Sequence, residues 1–367
     1  MNAYSRCRQM NQHPRRPMKM IINLALPASL LLAGLVSSAA EPVDPSRSVV
    51  TQIAPDASRL SISEPRFRVI GYLGSRASLD AVPFEKLTHV NYAFLIPNDD
   101  GTFRKFSAAS HLKETVRRAR EAGVKVLISV GGWGWERQFE AMAEAPSKRA
   151  VFVRELLAFV KDHDLDGTDI DWEYPRPGGS AKNFLALMKE LRVDLPTHKL
   201  LTAAVAALGK NADGIPDEAL ALLDFINLMA YDGPAGAHSS MEFAAASIDY
   251  WHARGLPPEK LVLGVPFYSR PGEVPYRKLV QADPSASNKD LSSYNGIEQN
   301  YNGIPTIQAK TRLAIKRGSG VMFWTLENDS DDDLSLLNAI FQTADGSLKT
   351  PAEKERWDRP VSRGSSK

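Results

Sequence analysis

Asp166-Gly-Thr-Asp-Ile-Asp-Trp-Glu-Tyr-Pro175 places carboxylates at Asp169, Asp171 and Glu173, with Ile170 and Trp172 between them. A period of two is the mark of a strand: successive side chains point to opposite faces, and same-face neighbours lie roughly 6.6 Å apart along the backbone. One face of this segment is therefore acidic and the other apolar. Acids held that close raise one another's pKa, and a fold bears the cost where a proton must be kept and delivered near neutral pH. A solvent-facing edge strand or a cation site could use the same oxygens. Ile170 and Trp172 on the alternate face, with the apolar helical pattern of Ala150 to Phe159 just upstream, argue against an open edge. A Ca²⁺ loop would need turn residues between its ligands and more oxygen donors, whereas Ile and Trp favour extended chain. Catalysis is the preferred reading.

This segment is the fourth of eight β-like runs: Phe67 to Leu73, Thr88 to Leu95, Lys125 to Val130, Asp166 to Trp172, Leu200 to Ala206, Phe225 to Tyr231, Leu261 to Phe267 and Gly320 to Trp324. Helical periodicity lies between and after them, in Ala109 to Ala122, Ser147 to Asp162, Ala181 to Leu191, Glu242 to Arg254, Ile307 to Arg317 and Asp333 to Phe341. Strands alternating with helices imply parallel pairing, and eight of them imply an α/β fold with a single closed (β/α)₈ TIM barrel, its active site at the C-terminal ends of the strands. A doubly wound sheet is the alternative, but it would not collect the unusual residues at one end. Ser129-Val-Gly-Gly-Trp133, the acid cluster, Met229-Ala-Tyr-Asp232, Phe267-Tyr-Ser-Arg270 and Trp324 all fall there.

The chain has 367 residues, 43% hydrophobic and 24% charged, enough for one barrel of about residues 66–342. Residues 1–40 carry Arg6, Arg8, Arg15, Arg16 and Lys19, no acid, an apolar run from Met20 to Val36 and the small-residue end Ser37-Ser-Ala-Ala40. This is the layout of a secretory signal peptide, and it predicts export to a periplasm or beyond; Asn23 and Pro27 interrupt the run and disfavour a retained membrane span. Residues 41–65 read as a polar linker and 343–367 as a polar tail. The one cysteine, Cys7, precedes the cleavage point, so the mature chain has no disulfide. Removing the five basic residues of the leader leaves 40 basic against 43 acidic residues, a net of −3, which argues against a nucleic-acid partner. The histidines are scattered without ligand spacing, so neither metal nor cofactor is expected. The expected partner is a carbohydrate, and the expected state a monomer.

The string from Asp166 to Pro175 matches the signature DGxDxDWEYP at every position, and so the chain resembles glycoside hydrolase family 18, the chitinase family. Ser129-Val-Gly-Gly132 resembles its SxGG motif and Met229-Ala-Tyr-Asp232 its MxYD motif, and the likeness runs from about Arg66 to Phe341. The resemblance implies hydrolysis of β-1,4-linked N-acetylglucosamine, with retention, by attack of the substrate's own N-acetyl carbonyl. Glu173 would protonate the leaving oxygen and later deprotonate water. Asp171 would bind the acetamido N–H and share a proton with Asp169, which Tyr72 and Ser129 would hydrogen-bond. Tyr231 would donate to the acetamido oxygen, aided by Asp232, with Met229 beneath the sugar. Trp324 would floor the distorted sugar and Trp133 would stack on the next unit, since pyranose C–H faces match flat rings. Tyr268, Arg270 and Phe94 complete the expected substrate-binding set. Trp251 and Phe184, on predicted helices, read as core, as does His89 on its strand.

Two departures from the family pattern stand out. Only about fifty residues, Tyr268 to Ser319, separate the last two runs, so the sizeable module that many members insert there is expected to be absent or small. Asp232-Gly-Pro-Ala-Gly236 also lacks the tryptophan often found after MxYD. The same chemistry on peptidoglycan or N-glycan cores is one alternative. A non-catalytic lectin on the same barrel is another, disfavoured because Asp171 and Glu173 are both present.

Overall fold

The computed structural model describes residues 67–233 and 238–348. Eight parallel strands close a barrel: β1 (Arg68–Gly74), β2 (His89–Leu95), β3 (Lys125–Gly131), β4 (Gly167–Asp171), β5 (Leu200–Ala206), β6 (Phe225–Met229), β7 (Leu261–Pro266) and β10 (Gly320–Trp324), in the order β1-β10-β7-β6-β5-β4-β3-β2. Around them run α1 (Ala109–Glu121), α2 (Glu136–Ala143), α3 (Pro146–Asp162), α4 (Gly179–Asp194), α5 (Asp217–Leu222), α6 (Met241–Ala253), α7 (Tyr276–Ala282), α8 (Ile304–Arg317) and α9 (Leu336–Leu348). Closure leaves β4 paired on both sides, with β3 and β5. An acidic edge strand is therefore ruled out.

Strand alternation divides the apolar residues into two cores. Inward-facing Ile70, Leu127, Phe225, Val262 and Met322 fill the barrel. The alternate residues, among them Val69, Val90, Ile128, Ile170 and Leu228, pack outward against the helices. Trp172 belongs to the outer set, stacked on Phe139 of α2 at 5.0 Å and 8°. Phe184 and Trp251 are buried there as expected, and the Trp251 indole N–H donates to the Ala206 and Ala207 carbonyls at 3.2 and 3.1 Å. Each such ring contributes on the order of 2–3 kcal/mol by leaving water.

Three strands end earlier than expected, β7 by a single residue at Pro266. β4 stops at Asp171, whose carbonyl accepts the Gly132 N–H at 2.8 Å from the turn after β3. That turn needs Gly131, at φ 110°, where a Cβ would sit 2.4 Å from the same carbonyl. β6 likewise stops at Met229. Glu173 and Tyr231 are thus carried on chain that has just left the sheet, over the barrel mouth.

The segment between β7 and α8 is less bare than its prolines imply. It holds α7 and an antiparallel hairpin, β8 (Leu291–Tyr294) and β9 (Ile297–Asn300), turned at Asn295 and Gly296 with φ 51° and 76°. Paired hydrogen bonds between Arg270 and Asn300, 2.8 and 2.7 Å, tie the hairpin to the chain leaving β7. With four residues a strand, any wall it forms is small. α9 starts three residues later than predicted and runs on to Leu348, with Ala344 buried, so residues 343–348 are helix rather than tail. The predicted signal peptide, the linker and the tail beyond 348 lie outside the described residues. No helix among the described residues is long and apolar enough to cross a membrane.

Candidate active site

Register builds the base of the site. Ser129, Asp169 and Thr202 are lateral neighbours on β3, β4 and β5. Asp169 is fully buried, and each of its oxygens accepts two hydrogen bonds. Oδ2 takes the Tyr72 hydroxyl at 2.7 Å and Ser129 Oγ at 2.9 Å; Oδ1 takes Thr202 Oγ1 at 2.6 Å and Asn227 Nδ2 at 3.0 Å. Burial raises its pKa, and the four donors oppose the rise without cancelling it. One layer up, Asp171 is 4% exposed and its Oδ1 has no hydrogen-bond partner among the described residues. Burial first, then the charges of Glu173 and Asp169, push its carboxyl well above the usual range. Asp169 is the carboxyl whose charged form is supported by hydrogen bonds, and Asp171 the one whose charge burial and two neighbouring acids oppose.

Glu173 stands at the mouth, half-buried. Burial raises its carboxyl to about 7, with the Asp232 charge adding and a hydrogen bond from Tyr174 opposing. Asp232 faces it from the end of β6, at φ 55°. Arg270 grips Asp232 bidentately, Nε to Oδ1 at 2.7 Å and an NH₂ group to Oδ2 at 2.6 Å. Tyr268 donates its hydroxyl to Oδ2 at 2.9 Å, and His238 Nδ1 lies 3.0 Å from Oδ1. Burial would raise the Asp232 pKa, but the bonds from Arg270 and His238 outweigh it and hold the carboxyl well below the usual range. Asp232 is thus a fixed anion beside an acid whose ionisation burial and that charge oppose.

Aromatic side chains surround the carboxylates. Trp324 closes β10 with Phe94 stacked on it at 5.4 Å and 19°, and with Tyr72 tilted against it at 5.6 Å. Phe94 reaches that position because β2 slips out of register between Ala93 and Leu95. Trp133 stands 63% exposed at the rim, with the Tyr174 ring edge-on at 6.4 Å. An aromatic that open to water gives up little by covering a sugar face.

A profile of the glycosyl hydrolases family 18 matches residues 68–331, the barrel almost from end to end. The chain belongs to glycosyl hydrolase family 18. It is 31% identical to a GH18 chitinase from the chitin utilization locus of Flavobacterium johnsoniae, with TM-score 0.68 over 76% of this chain and 94% of that one. A chitinase structure from Bacteroides thetaiotaomicron superposes with TM-score 0.69 at 26% identity, covering 76% of this chain and 96% of that chain. Chitinase 1 of Aphanocladium album is 28% identical over 237 residues, 52% of this chain and 56% of the relative. The chain spans about half the length of the curated relatives it matches.

Within this family 18 barrel, the structure brings Tyr72, Phe94, Ser129, Asp169, Asp171, Glu173, Met229, Tyr231, Asp232, Tyr268, Arg270 and Trp324 to the C-terminal end, with Trp133 at the rim. Tyr268 is 6% exposed and its hydroxyl donates to Asp232, bracing that anion. Asp232 bonds Tyr268 and Arg270, not Tyr231, whose hydroxyl lies 4.0 Å from Met322 Sδ. Thr202, Asn227 and His238 were not singled out from sequence. Asn227 had a usable signal, the lone polar residue of Phe225-Ile-Asn-Leu-Met229; His238 had none. Among the described residues no group of three or more His, Cys, Asp or Glu side chains could hold a metal.

The chain that carries Glu173 is supported from outside the cluster. A Cβ on Gly214 would lie 1.8 Å from the Pro175 carbonyl oxygen. Gly214→Ala must therefore push the Glu173–Pro175 segment away, at an expected cost of about 1–3 kcal/mol in a urea melt together with a fall in kcat/KM. A variant with both quantities unchanged would show that this contact does not position Glu173.

Proposed function

We propose that the protein is an exported, retaining hydrolase of β-1,4-linked N-acetylglucosamine chains in which the substrate's acetamido oxygen is the nucleophile. The observation that carries this reading is the state of the carboxylates around Glu173. A retaining glycosidase needs either an ionised, accessible carboxylate as nucleophile or a substrate that supplies its own. Asp169 is buried under four donors, Asp171 is closed off from solvent with Asp169 and Glu173 beside it, and Asp232 is locked by Arg270. None is free to attack a sugar, so the substrate must.

In this mechanism Glu173 gives its proton to the glycosidic oxygen while the acetamido carbonyl oxygen bonds to the anomeric carbon, forming an oxazolinium ring. Asp171 passes the proton it shares with Asp169 to that carboxyl, accepts the acetamido N–H as a carboxylate and stabilises the positive charge as it develops. Glu173, now a carboxylate, takes a proton from the water that opens the ring, and the product keeps its configuration. Tyr231 holds the acetamido oxygen, Met229 and Trp324 form the floor, and Trp133 covers the adjoining unit. Export rests on the pattern of residues 1–40, and chitin-type substrate choice on the two tryptophans.

Mass spectrometry of products from N-acetylated chitohexaose, with peptidoglycan and an N-glycan core in parallel, tests the substrate. Cleavage of the hexamer is expected. Processing of only one of the other glycans would keep the chemistry and move the substrate; silence on all three would favour a lectin. The pH profile is a separate test. Glu173 must be protonated, so kcat/KM is expected to fall as pH rises through about 7. A limb at the ordinary glutamate range would mean that Glu173 is not held as the structure has it.

A further inference from the structure

Lys310, on α8, lies outside the mechanism and is fully buried. Its ammonium donates to the Ser239 carbonyl, to Ser239 Oγ at 2.6 Å and to Asn302 Oδ1 at 2.6 Å. No carboxylate of the described residues pairs with it; burial pushes its pKa down to about 7, and the fields of Asp290 and Glu242 oppose this only in part. Burying an ammonium costs several kcal/mol, and three neutral acceptors offset part of that. What this cation holds is specific. Ser239 Oγ donates to the Ala230 carbonyl at 2.7 Å, and the neighbouring His238 donates from Nε2 to the Tyr268 carbonyl at 3.1 Å. With Nε2 so used, His238 Nδ1 accepts the Asp232 N–H, 3.3 Å away, in the neutral ring and donates to Asp232 Oδ1 in the charged ring. Either protonation state grips Asp232.

We propose that Lys310 and His238 act as one positioning unit for Asp232: the buried ammonium fixes Ser239, Ser239 fixes the chain at Ala230 and His238, and His238 sets the carboxylate that faces Glu173. The unit works on β6 from helix α8, whereas Arg270 and Tyr268 work from the chain after β7. The proposal rests on the functional reading above for its kinetic arm only.

The test compares Lys310→Met, His238→Asn, the double variant and Ser239→Ala in the full chain. It measures kcat and KM on chitotetraose well below the melting temperature, the melting temperature itself, and the histidine-ring ¹⁵N resonances. Lys310→Met and His238→Asn are each expected to lower kcat/KM about 10- to 100-fold, since small misplacements far from the chemistry have effects of that size. The double variant is expected to be no worse than the poorer single one, the mark of residues acting as a unit. Lys310→Met is also expected to move the His238 ring resonances. A lowered melting temperature with unchanged kcat/KM and an unmoved His238 ring would overturn the proposal, as would losses that multiply. If Lys310→Met does not fold, Ser239→Ala carries the same expectation at smaller size. A wild-type chain inactive on chito-oligosaccharides would defeat the functional reading, and the ring resonances would still decide this one.

Discussion

Glu173→Gln is expected to lower kcat on chitotetraose by about 10²- to 10⁴-fold, the range a positioned general acid supplies, with KM changed by no more than a few-fold. The amide keeps the shape and removes only the transferable proton. The same variant should be more stable than the parent at high pH. The folded pKa of Glu173, about 7, lies above its ordinary 4.5, so its ionisation opposes folding. The stability it allows is fully present below about pH 4.5 and is lost as pH rises through about 7. Glutamine cannot ionise, so at pH 8 it should gain on the order of 1–3 kcal/mol over the parent, discounted for the partial exposure of the site, and at pH 4 nothing. A variant inactive but no more stable at pH 8 would show that the parent glutamate is not strained by burial.

Asp171→Asn is the second large effect. An asparagine fills the same space between Asp169 and Glu173 but cannot become an anion when positive charge develops on the acetamido nitrogen. Loss of one preorganised electrostatic group of this kind costs about 10²- to 10³-fold in kcat. Because burial and its acidic neighbours oppose a charge on Asp171 at rest, binding of the uncleaved chain should change far less, and KM should stay within a few-fold. Equal losses in kcat/KM and in affinity for an uncleaved chain, measured by calorimetry in the Glu173→Gln background, would instead make Asp171 a binding residue only.

Strand alternation made the barrel and most of its site legible. Each of the eight apolar runs became a barrel strand because inward and outward faces are both buried, which leaves near-continuous Val, Ile, Leu and Ala. The acid spacing at 169, 171 and 173 was read as one strand face, but only Asp169 and Asp171 lie on β4. Glu173 has left the ladder, and that departure lifts it to the mouth. The hairpin from Leu291 to Asn300 was passed over because its strands are four residues each and largely polar, although Asn295-Gly296 is a strong turn signal. α2, α5 and α7 were missed because they are only eight, six and seven residues long. His238 and Lys310 left no trace in local pattern. Their roles depend on β6, β7 and α8 meeting in space, 72 residues apart in the chain, a separation no period of two or 3.6 records.

The most direct test of the mechanism is the identity of the sugar at each new reducing end. Partially N-acetylated chitosan would be hydrolysed in isotope-labelled water, which tags the ends made by the enzyme, and those ends sequenced by mass spectrometry. If the acetamido oxygen is the nucleophile, every tagged end carries an N-acetyl group. Tagged ends that are glucosamine in proportion to their share of the polymer would contradict the account, because cleavage would then have proceeded without the group that it assigns as nucleophile.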